Sequence, residues 1–577
     1  MPQLINDVYV PSEGDPSSKL WIIGEAPGAQ EEYFKRPFVG DAGEVLETCL
    51  GRAGFNRKEA FITNLCHFRP VANKFELLLG SRQLQDGLAE ITELLQTHKP
   101  NCIATLGNWP TFYLTNKVRK NKKGQITGIA HYRGSVLSYS GEHIGELDRV
   151  QKVIPTLHPA FVLRNPSAFV AFDQDIKRIV GDSTFPELRL PKYQIIVDPD
   201  NLEEWVDTIC AQDFTACDIE AVKGTTIILC VGFSCGPNTA VVIPHGETPK
   251  QRHRDAIAQI LAAKVPKCFH FGTYDATVLR LNNFEVNSYT DDTIVQAHIL
   301  APELPRSLEF LTSVLTRQPY YKGEGRATIP DDTKGWSAKR NKDDLYIYNG
   351  KDVCVTHEIK IIQDQDLRDA GLYDYYNYRM ELQHTLLDIG DTGLYRDEER
   401  KELLASSVRD SRGRCAIFLR TLAGYKVRNI ANKEMCKLLY DNLKLPKRHK
   451  TDRRTGKQRL TTDEDALISL LTYCNGHIEK LKRDSSKRDW MVKRAVIELV
   501  LKIRGYNKLL ESYFDVPMYA DGNARSLYKV AGPETGRASN VKYVDGSGLN
   551  VQTIPRSKLE VELEDDSSGR PQDIVAA

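Results

Sequence analysis

The sequence predicts a multidomain α/β chain that turns mostly helical in its last third, and three observations predict it. A length of 577 residues, at roughly 150 residues per domain, gives room for three or four domains. Short β-rich runs alternate with helix-like segments over the first two thirds, the pattern of α/β domains. From about Tyr373 onward the apolar spacing becomes helical, as in Leu382, Leu386, Ile389 and Ile497, Val500, Leu501.

The first α/β stretch, residues 1–182, holds the runs Leu20–Ile23, Cys102–Leu106 and Val153–Leu157 with a helix-like segment at Leu84–Thr97, and a parallel sheet is expected. The polar, proline-bearing stretch Gly181–Pro191 is read as a linker. A second α/β stretch, 190–370, opens at Tyr193, continues through Phe214–Glu220 and Ile227–Ser234, and closes with helix near Tyr348–Ile362. The third, 371–556, is expected to be helical and carries a basic run at Lys444–Arg459. Residues 557–577 form an acidic tail.

With 41% hydrophobic and 27% charged residues the composition is globular, which argues against a disordered or fibrous protein. Lys and Arg number 78 against 77 Asp and Glu, so a nucleic-acid surface must arise from local clustering. No apolar run approaches the roughly 20 residues of a membrane span, and Met1–Leu20 is too polar for a secretory signal. A soluble, cytoplasmic protein without a membrane partner is expected. The twelve cysteines include no C-x-x-C pair, which fits neither a disulfide scaffold nor a zinc ribbon. Cys102, Cys217, Cys230 and Cys268 lie in apolar runs and are expected to be reduced core thiols.

Directly after the Leu20–Ile23 run stands Gly24-Glu25-Ala26-Pro27-Gly28, followed by Glu31, Pro37–Gly40 and Ala42-Gly43. Glycines behind a strand let backbone N–H groups approach a ligand at the carboxyl edge of a parallel sheet. Thr63-Asn64 with Arg69-Pro70, and His158-Pro159-Ala160, end later runs. In order and spacing these motifs resemble the uracil-DNA glycosylase superfamily, most closely its family 4, over essentially the whole first domain. The resemblance implies an α/β/α parallel-sheet fold and a pocket that accepts a flipped base. In it Asn64 reads the base edge, Phe38 is the platform beneath it, and His158 stabilises the charge on the departing uracil. Glu25 would hold water or stabilise the sugar cation. Gly24, Gly28 and Arg164 complete the expected substrate contacts, and Lys117–Lys123 adds phosphate contacts. Excision of uracil and binding of uracil alone both stay open. The family's four-cysteine iron–sulfur cluster is not expected: the N-terminal pair is missing, Phe68 stands at one ligand position and Gly87 near the other. Lys35 replaces a usual glycine.

In the second domain Asp218 and Glu220, at i and i+2 on a strand, point to one face. Asp275 follows, then Tyr348 and Asp352 at i and i+4 on a helix. Four carboxylates and a Tyr are what a hydrolase with two Mg²⁺ or Mn²⁺ ions requires, one activating water and one stabilising the leaving 3′ oxygen. The arrangement resembles the DEDD exonucleases in their Tyr variant, the proofreading domain of family A DNA polymerases. This implies a ribonuclease H-like exonuclease domain with Asp218, Glu220, Asp275 and Asp352 as metal ligands and Tyr348 orienting the water. Phe271 stands where the family usually has Asn.

In the third region a basic loop with Lys447, Arg448 and Arg453 precedes Lys508-Leu509, Thr535–Ser539 and Asn550–Arg556. These resemble the thumb and first palm strands of family A DNA polymerases, which implies that Lys508, Arg537 and Gln552, with Arg448 and Arg453, contact primer–template DNA. The later palm and fingers motifs do not follow Arg556, so no polymerisation by this chain alone is expected. The order of domains resembles some bacteriophage replicative polymerases. The expected protein is the N-terminal part of such an enzyme, working in a bacterial host cytoplasm on DNA, either one half of a split polymerase with a second chain supplying palm and fingers or a truncated product. The alternative is a DNA-binding scaffold subunit of a split polymerase whose nuclease is dormant without its partner.

Overall fold

The computed structural model describes residues 5–120, 126–322, 342–424, 427, 429–451 and 458–553. Arg453 and the expected acidic tail, 557–577, lie outside the described residues. The chain divides into two compact units, Met1–His384 with Val530–Ala538, and Thr385–Lys529 with Ser539–Ala577.

The first unit is built on two sheets. The first sheet has the order β3-β2-β5-β9-β8, with β2 Leu20–Gly24, β3 Ala60–Asn64, β5 Cys102–Leu106 and β9 Lys152–Thr156 parallel and the short β8 Leu137–Ser138 antiparallel at the edge. Parallel strands covered on both faces read as unbroken apolar runs, and successive residues of β2 feed opposite cores. Leu20 and Ile22 pack with Leu46 and Leu50 of α2 (Asp41–Arg52) and Phe172 and Ile176 of α7 (Phe169–Asp182). Trp21 and Ile23 pack with Ile91 and Leu95 of α3 (Arg82–Thr97) and Trp109 of α4 (Asn108–Thr115). A flanking ribbon pairs β1 (Ile5–Tyr9) with β4 (Phe68–Pro70), and β6 (Arg119–Lys120) pairs with β7 (Ile126–Thr127). This is the parallel-sheet α/β domain that the alternating runs predict.

The second sheet has the order β10-β13-β12-β11-β14-β15, from β10 Gln194–Val197, β11 Thr215–Ala221, β12 Ile228–Ser234, β13 Thr239–Pro244, β14 Lys267–Phe269 and β15 Tyr289–Asp292. It is mixed: β12 runs antiparallel to both neighbours, whereas β11, β14 and β15 are parallel. The long helix Lys342–Asp369 lies against it. A Cβ on Gly232 of β12 would meet the Asn349 Oδ1 at 2.3 Å, so this helix approaches the strand only because the residue is glycine.

The stretch read as a linker is pinned. Lys152, wholly buried, donates its ammonium to the carbonyls of Asp182 and Phe185, both at 2.8 Å, and lies 3.8 Å from the Phe185 ring centroid. Arg317 donates to the Asp182 carboxylate at 2.6 Å and to the Arg189 carbonyl at 2.8 Å. Nearby, Arg133 pairs with Asp175 and donates to Ser313 Oγ at 2.9 Å, and Arg178 reaches the Val314 carbonyl at 2.7 Å. The two predicted α/β domains therefore share a buried polar seam within one unit. An unpaired charge there would be costly.

The second unit is mainly helical, with helices Glu398–Ala423, Glu464–Lys480 and Asp484–Leu509 closing on Leu419, Met435, Leu467, Leu470, Val496 and Val500. The helix Glu464–Lys480 starts at Asp463, whose side chain caps it by accepting the Ala466 N–H at 3.1 Å. Within the basic run, β17 (His449–Thr451) pairs antiparallel with β18 (Gln458–Leu460).

Candidate active sites

The loops after β2, β5 and β9 open at the carboxyl edge of the first sheet and line a cavity of about 720 Å³. Its wall includes Glu25, Gly28, Phe38, His158 and Arg164. Strands β2 and β3 are in register so that Gly24 lies beside Asn64. A Cβ on Gly24 would stand 2.3 Å from Asn64 Oδ1 and 2.4 Å from the Phe38 ring, so amide and ring converge on a spot that only glycine leaves open. Asn64 itself is buried there.

Phe38 adopts a left-handed backbone, φ 48°, a conformation costly for a bulky residue. Two residues whose roles the sequence did not disclose hold it. The Glu31 carboxylate accepts the N–H groups of Gly28 and of Phe38, the latter at 2.5 Å, and so staples both loops. The buried Arg57 guanidinium donates to the carbonyls of Pro37 at 2.6 Å and Phe38 at 2.7 Å and pairs with Glu13. A Glu three residues behind Gly28 at a helix start was the only sequence signal for the first. Arg57 had none.

His158 caps α6 (Pro159–Arg164): its Nδ1 accepts the Ala160 N–H at 3.2 Å, which leaves the ring proton on Nε2. Its ring centroid is 5.9 Å from that of Phe38. Burial, helped by the Arg164 charge, pushes its pKa down to about 4, so the imidazole is a neutral donor at pH 7. Glu25 accepts the N–H groups of Trp109 and Asn108 at the start of α4, yet burial dominates and pushes its carboxyl up to about 7. A Cβ on Gly107 would meet Glu25 Oε1 at 2.7 Å and His158 Cβ at 3.4 Å, so the acid and the root of the His158 side chain both close on that glycine. Arg164 is exposed on the rim.

In the second sheet, β11 brings Asp218 and Glu220 to one face and the long helix brings Tyr348 and Asp352, one turn apart. Single oxygens of Asp218, Glu220 and Asp352 lie within 4.8 Å of one another. Asp275 stands at the margin of that group, its Oδ1 accepting the Ile219 N–H at 3.1 Å. Asn349 donates to Asp218 Oδ2 at 2.8 Å. Burial and mutual repulsion raise these acids: Asp218 well above the carboxylate range, Glu220 to about 8, Asp275 to about 7. Groups so crowded hold protons unless a cation joins them.

Phe271, the departure noted in the second motif, has φ 67°, a region that Asn tolerates far better than Phe. Asp292 compensates by accepting the Phe271 N–H at 3.0 Å and the Gly272 N–H at 2.9 Å. Two further residues had no sequence signal. Tyr321 donates its hydroxyl to Asp352 Oδ1, and Lys322 donates to Asp352 Oδ2 at 2.5 Å and to the Tyr348 hydroxyl oxygen at 3.0 Å.

A family model described as the uracil DNA glycosylase superfamily matches residues 11–181. The type-4 uracil-DNA glycosylase of Saccharolobus solfataricus is 32% identical over 175 residues, 30% of this chain and 74% of that protein. That of Archaeoglobus fulgidus is 32% identical over 171 residues, 30% of this chain and 80% of that protein. The chain belongs to the uracil-DNA glycosylase superfamily. Membership rests on its first third. Among solved structures, the POL domain of Pol1 from M. smegmatis, in complex with DNA primer-template and dNTP, is similar at a TM-score of 0.41 and 20% identity. That likeness covers 63% of this chain and 56% of that one and is too loose to carry an argument.

The glycosylase-superfamily domain does not fit the iron–sulfur cluster that its resemblance to family 4 implies. Residues 1–182 contain three cysteines, Cys49, Cys66 and Cys102, short of four thiolates. All three are buried, and burial raises each thiol away from its thiolate form. A Cβ on Gly87 would meet the Leu65 carbonyl oxygen at 2.3 Å, so no side chain fits there. Phe68 packs edge-on against Tyr9, with ring centroids 5.6 Å apart.

The residues expected to grip DNA beyond this domain are placed singly. Lys508, Arg537 and Gln552 are exposed, and Gln552 accepts the Asn540 N–H at 2.8 Å. Arg448 is half-buried and donates to Ser469 Oγ at 3.1 Å. Arg453 lies outside the described residues. Among the described residues no helix is long and apolar enough to cross a membrane.

Proposed function

We propose that this protein processes DNA at two centres, excising uracil in the glycosylase-superfamily cavity and hydrolysing single-stranded 3′ ends at the carboxylate cluster. The observation that carries the reading is that Phe38 and a neutral His158 line one cavity, with the buried Asn64 amide meeting the Phe38 ring at Gly24. A flipped uracil would stack on Phe38 and present its Watson–Crick edge to the Asn64 amide. As the glycosidic bond breaks, its electron pair passes to the base, and the His158 Nε2–H donates to the oxygen on which negative charge gathers. Glu25, once ionised, faces the sugar cation or orients the water that adds to it.

At the second centre Mg²⁺ or Mn²⁺ held by Asp218, Glu220, Asp275 and Asp352 would supply the charge that activates water and steadies the leaving 3′ oxygen. Asn349 orients Asp218, the Ile219 N–H orients Asp275, and Tyr348 faces the acids to direct the water. The mixed sheet and the i, i+4 pair on the long helix support this reading of residues 190–370, as the first sheet supports that of 1–182. Residues 371–556 are read as a family A thumb and first palm strands that track primer–template backbone through Lys508, Arg537 and Gln552. The setting that suits these parts is a phage replication fork in a bacterial cytoplasm.

The test uses the full chain on a labelled single strand bearing one uracil. Alkali-sensitive breaks at that uracil, lost in His158→Ala, are expected without metal. Shortening from the 3′ end is expected with Mg²⁺. Failure to cleave at or preferentially bind uracil rules out the first centre, and undiminished shortening by Asp218→Ala/Glu220→Ala rules out the second.

A further inference from the structure

Both oxygens of Asp352 are already engaged. Oδ1 accepts the Tyr321 hydroxyl, and Oδ2 accepts the Lys322 ammonium, which also donates to Tyr348. The group is interior: Asp352 is 3% exposed, Tyr321 4% and Lys322 6%. An ammonium is stable at such depth only where acids compensate it, and Lys322 is further enclosed by two rings, its nitrogen 4.7 Å from the Tyr348 centroid and 5.3 Å from that of Tyr321.

Nor is Lys322 a wandering side chain. Two residues before it, Tyr320 donates its N–H to Ser135 Oγ at 3.2 Å. The Tyr320 ring stacks on His131 and meets Tyr132 edge-on, both at 5.1 Å between centroids. His131 is itself paired with Glu309. The backbone that delivers the ammonium is thus clasped by the glycosylase-superfamily domain.

We infer that Lys322 is the second cation of the carboxylate centre: its ammonium takes the position beside Asp352, and the site binds one divalent ion, on the Asp218–Glu220 side. The inference rests on the nuclease reading and revises its expectation of two ions. Lys322 then has two tasks, balancing Asp352 and fixing the direction of the Tyr348 hydroxyl. It is a positioning residue, acting on the water through Tyr348.

The test is a count of bound Mn²⁺ on the full chain, read from the electron paramagnetic resonance signal of the free ion and taken relative to Asp218→Ala/Glu220→Ala. One ion is expected in the wild type, two in Lys322→Met, and one in Lys322→Arg, which keeps the charge. The Mn²⁺ dependence of strand shortening should steepen from a Hill coefficient near one to near two in Lys322→Met. Two ions in the wild type, or none, overturn the inference whatever the variants do, and a single ion in a Lys322→Met or Lys322→Gln that retains native circular dichroism also overturns it. The count needs no turnover, so a wild type that binds one ion yet shortens no strand defeats the nuclease reading by a separate result.

Discussion

In the glycosylase-superfamily cavity the ionisable groups stand apart, whereas at the second centre they crowd, and burial does opposite work in the two places. In the first cavity burial is the largest cause, pushing His158 down to about 4 and Glu25 up to about 7. Desolvation strips charge and leaves a neutral surface suited to a neutral base. At the second centre the same desolvation acts on Asp218, Glu220 and Asp275 together, and the repulsion among neighbouring acids turns it into a demand for cations. Separation of titratable groups makes a hydrogen-bonding pocket. Their convergence makes a cation trap.

The sharpest way to break the contrast is to empty the trap. Asp218→Ala with Glu220→Ala should cost Mg²⁺-dependent 3′ degradation about 10³-fold or more, corresponding to roughly 4 kcal/mol of lost charge stabilisation. Uracil-directed cleavage by the same variant should be unchanged, as a gel assay on a doubly labelled strand would show. The reciprocal substitution, His158→Ala, should lower uracil excision about 10²- to 10³-fold, the usual loss for one oxyanion donor, while degradation from the 3′ end proceeds. Loss of both activities in either variant would mean that the centres are not separate.

A smaller effect concerns pH. With a folded pKa near 7 against 4.5 when unfolded, Glu25 keeps its proton in the folded chain over a range where the unfolded chain releases it. Its contribution to stability is therefore full below pH 4.5 and is lost as pH rises through about 7. The denaturation midpoint of Glu25→Gln relative to wild type should rise between pH 4.5 and 7. If ionised Glu25 serves the sugar cation, excision by the wild type should climb about tenfold per pH unit below 7 and level off above it, whereas Glu25→Gln should be slow and flat. The smallest effect is electrostatic. Removing Lys447 and Lys450 from the basic run should reduce the slope of log affinity against log salt by about 0.9 per lost duplex phosphate contact, with both centres retaining their rates on short strands.

What the sequence disclosed was short-range. Gly24–Gly28, Asn64 and His158 end strands, and a strand followed by glycine or by His-Pro is a pattern a few residues long. Asp218 with Glu220 and Tyr348 with Asp352 were visible because strand and helix periods place them on one face. What stayed hidden depends on distant parts of the chain meeting. The Arg57 grip on the Phe38 carbonyl crosses 19 residues, and Tyr321 reaches Asp352 across 31. Gly181–Pro191 has the composition of a linker, and only the folded chain reveals that Lys152 and Arg317 nail it down. The backbone strain at Phe271 was foreshadowed by its departure from the expected Asn, but nothing in the sequence tied Asp292 to its support.

The clasp of Ser135, His131 and Tyr132 on Tyr320 bears on how such a chain is inherited. A recombination event that exchanged the first 182 residues for another glycosylase would deliver a new neighbour to Tyr320, and with it a new position for the ammonium two residues on. Domain shuffling at this joint is thus an edit to the carboxylate centre as well. Lineages carrying the fusion should keep both halves or lose both, and the seam should change more slowly than either outer surface.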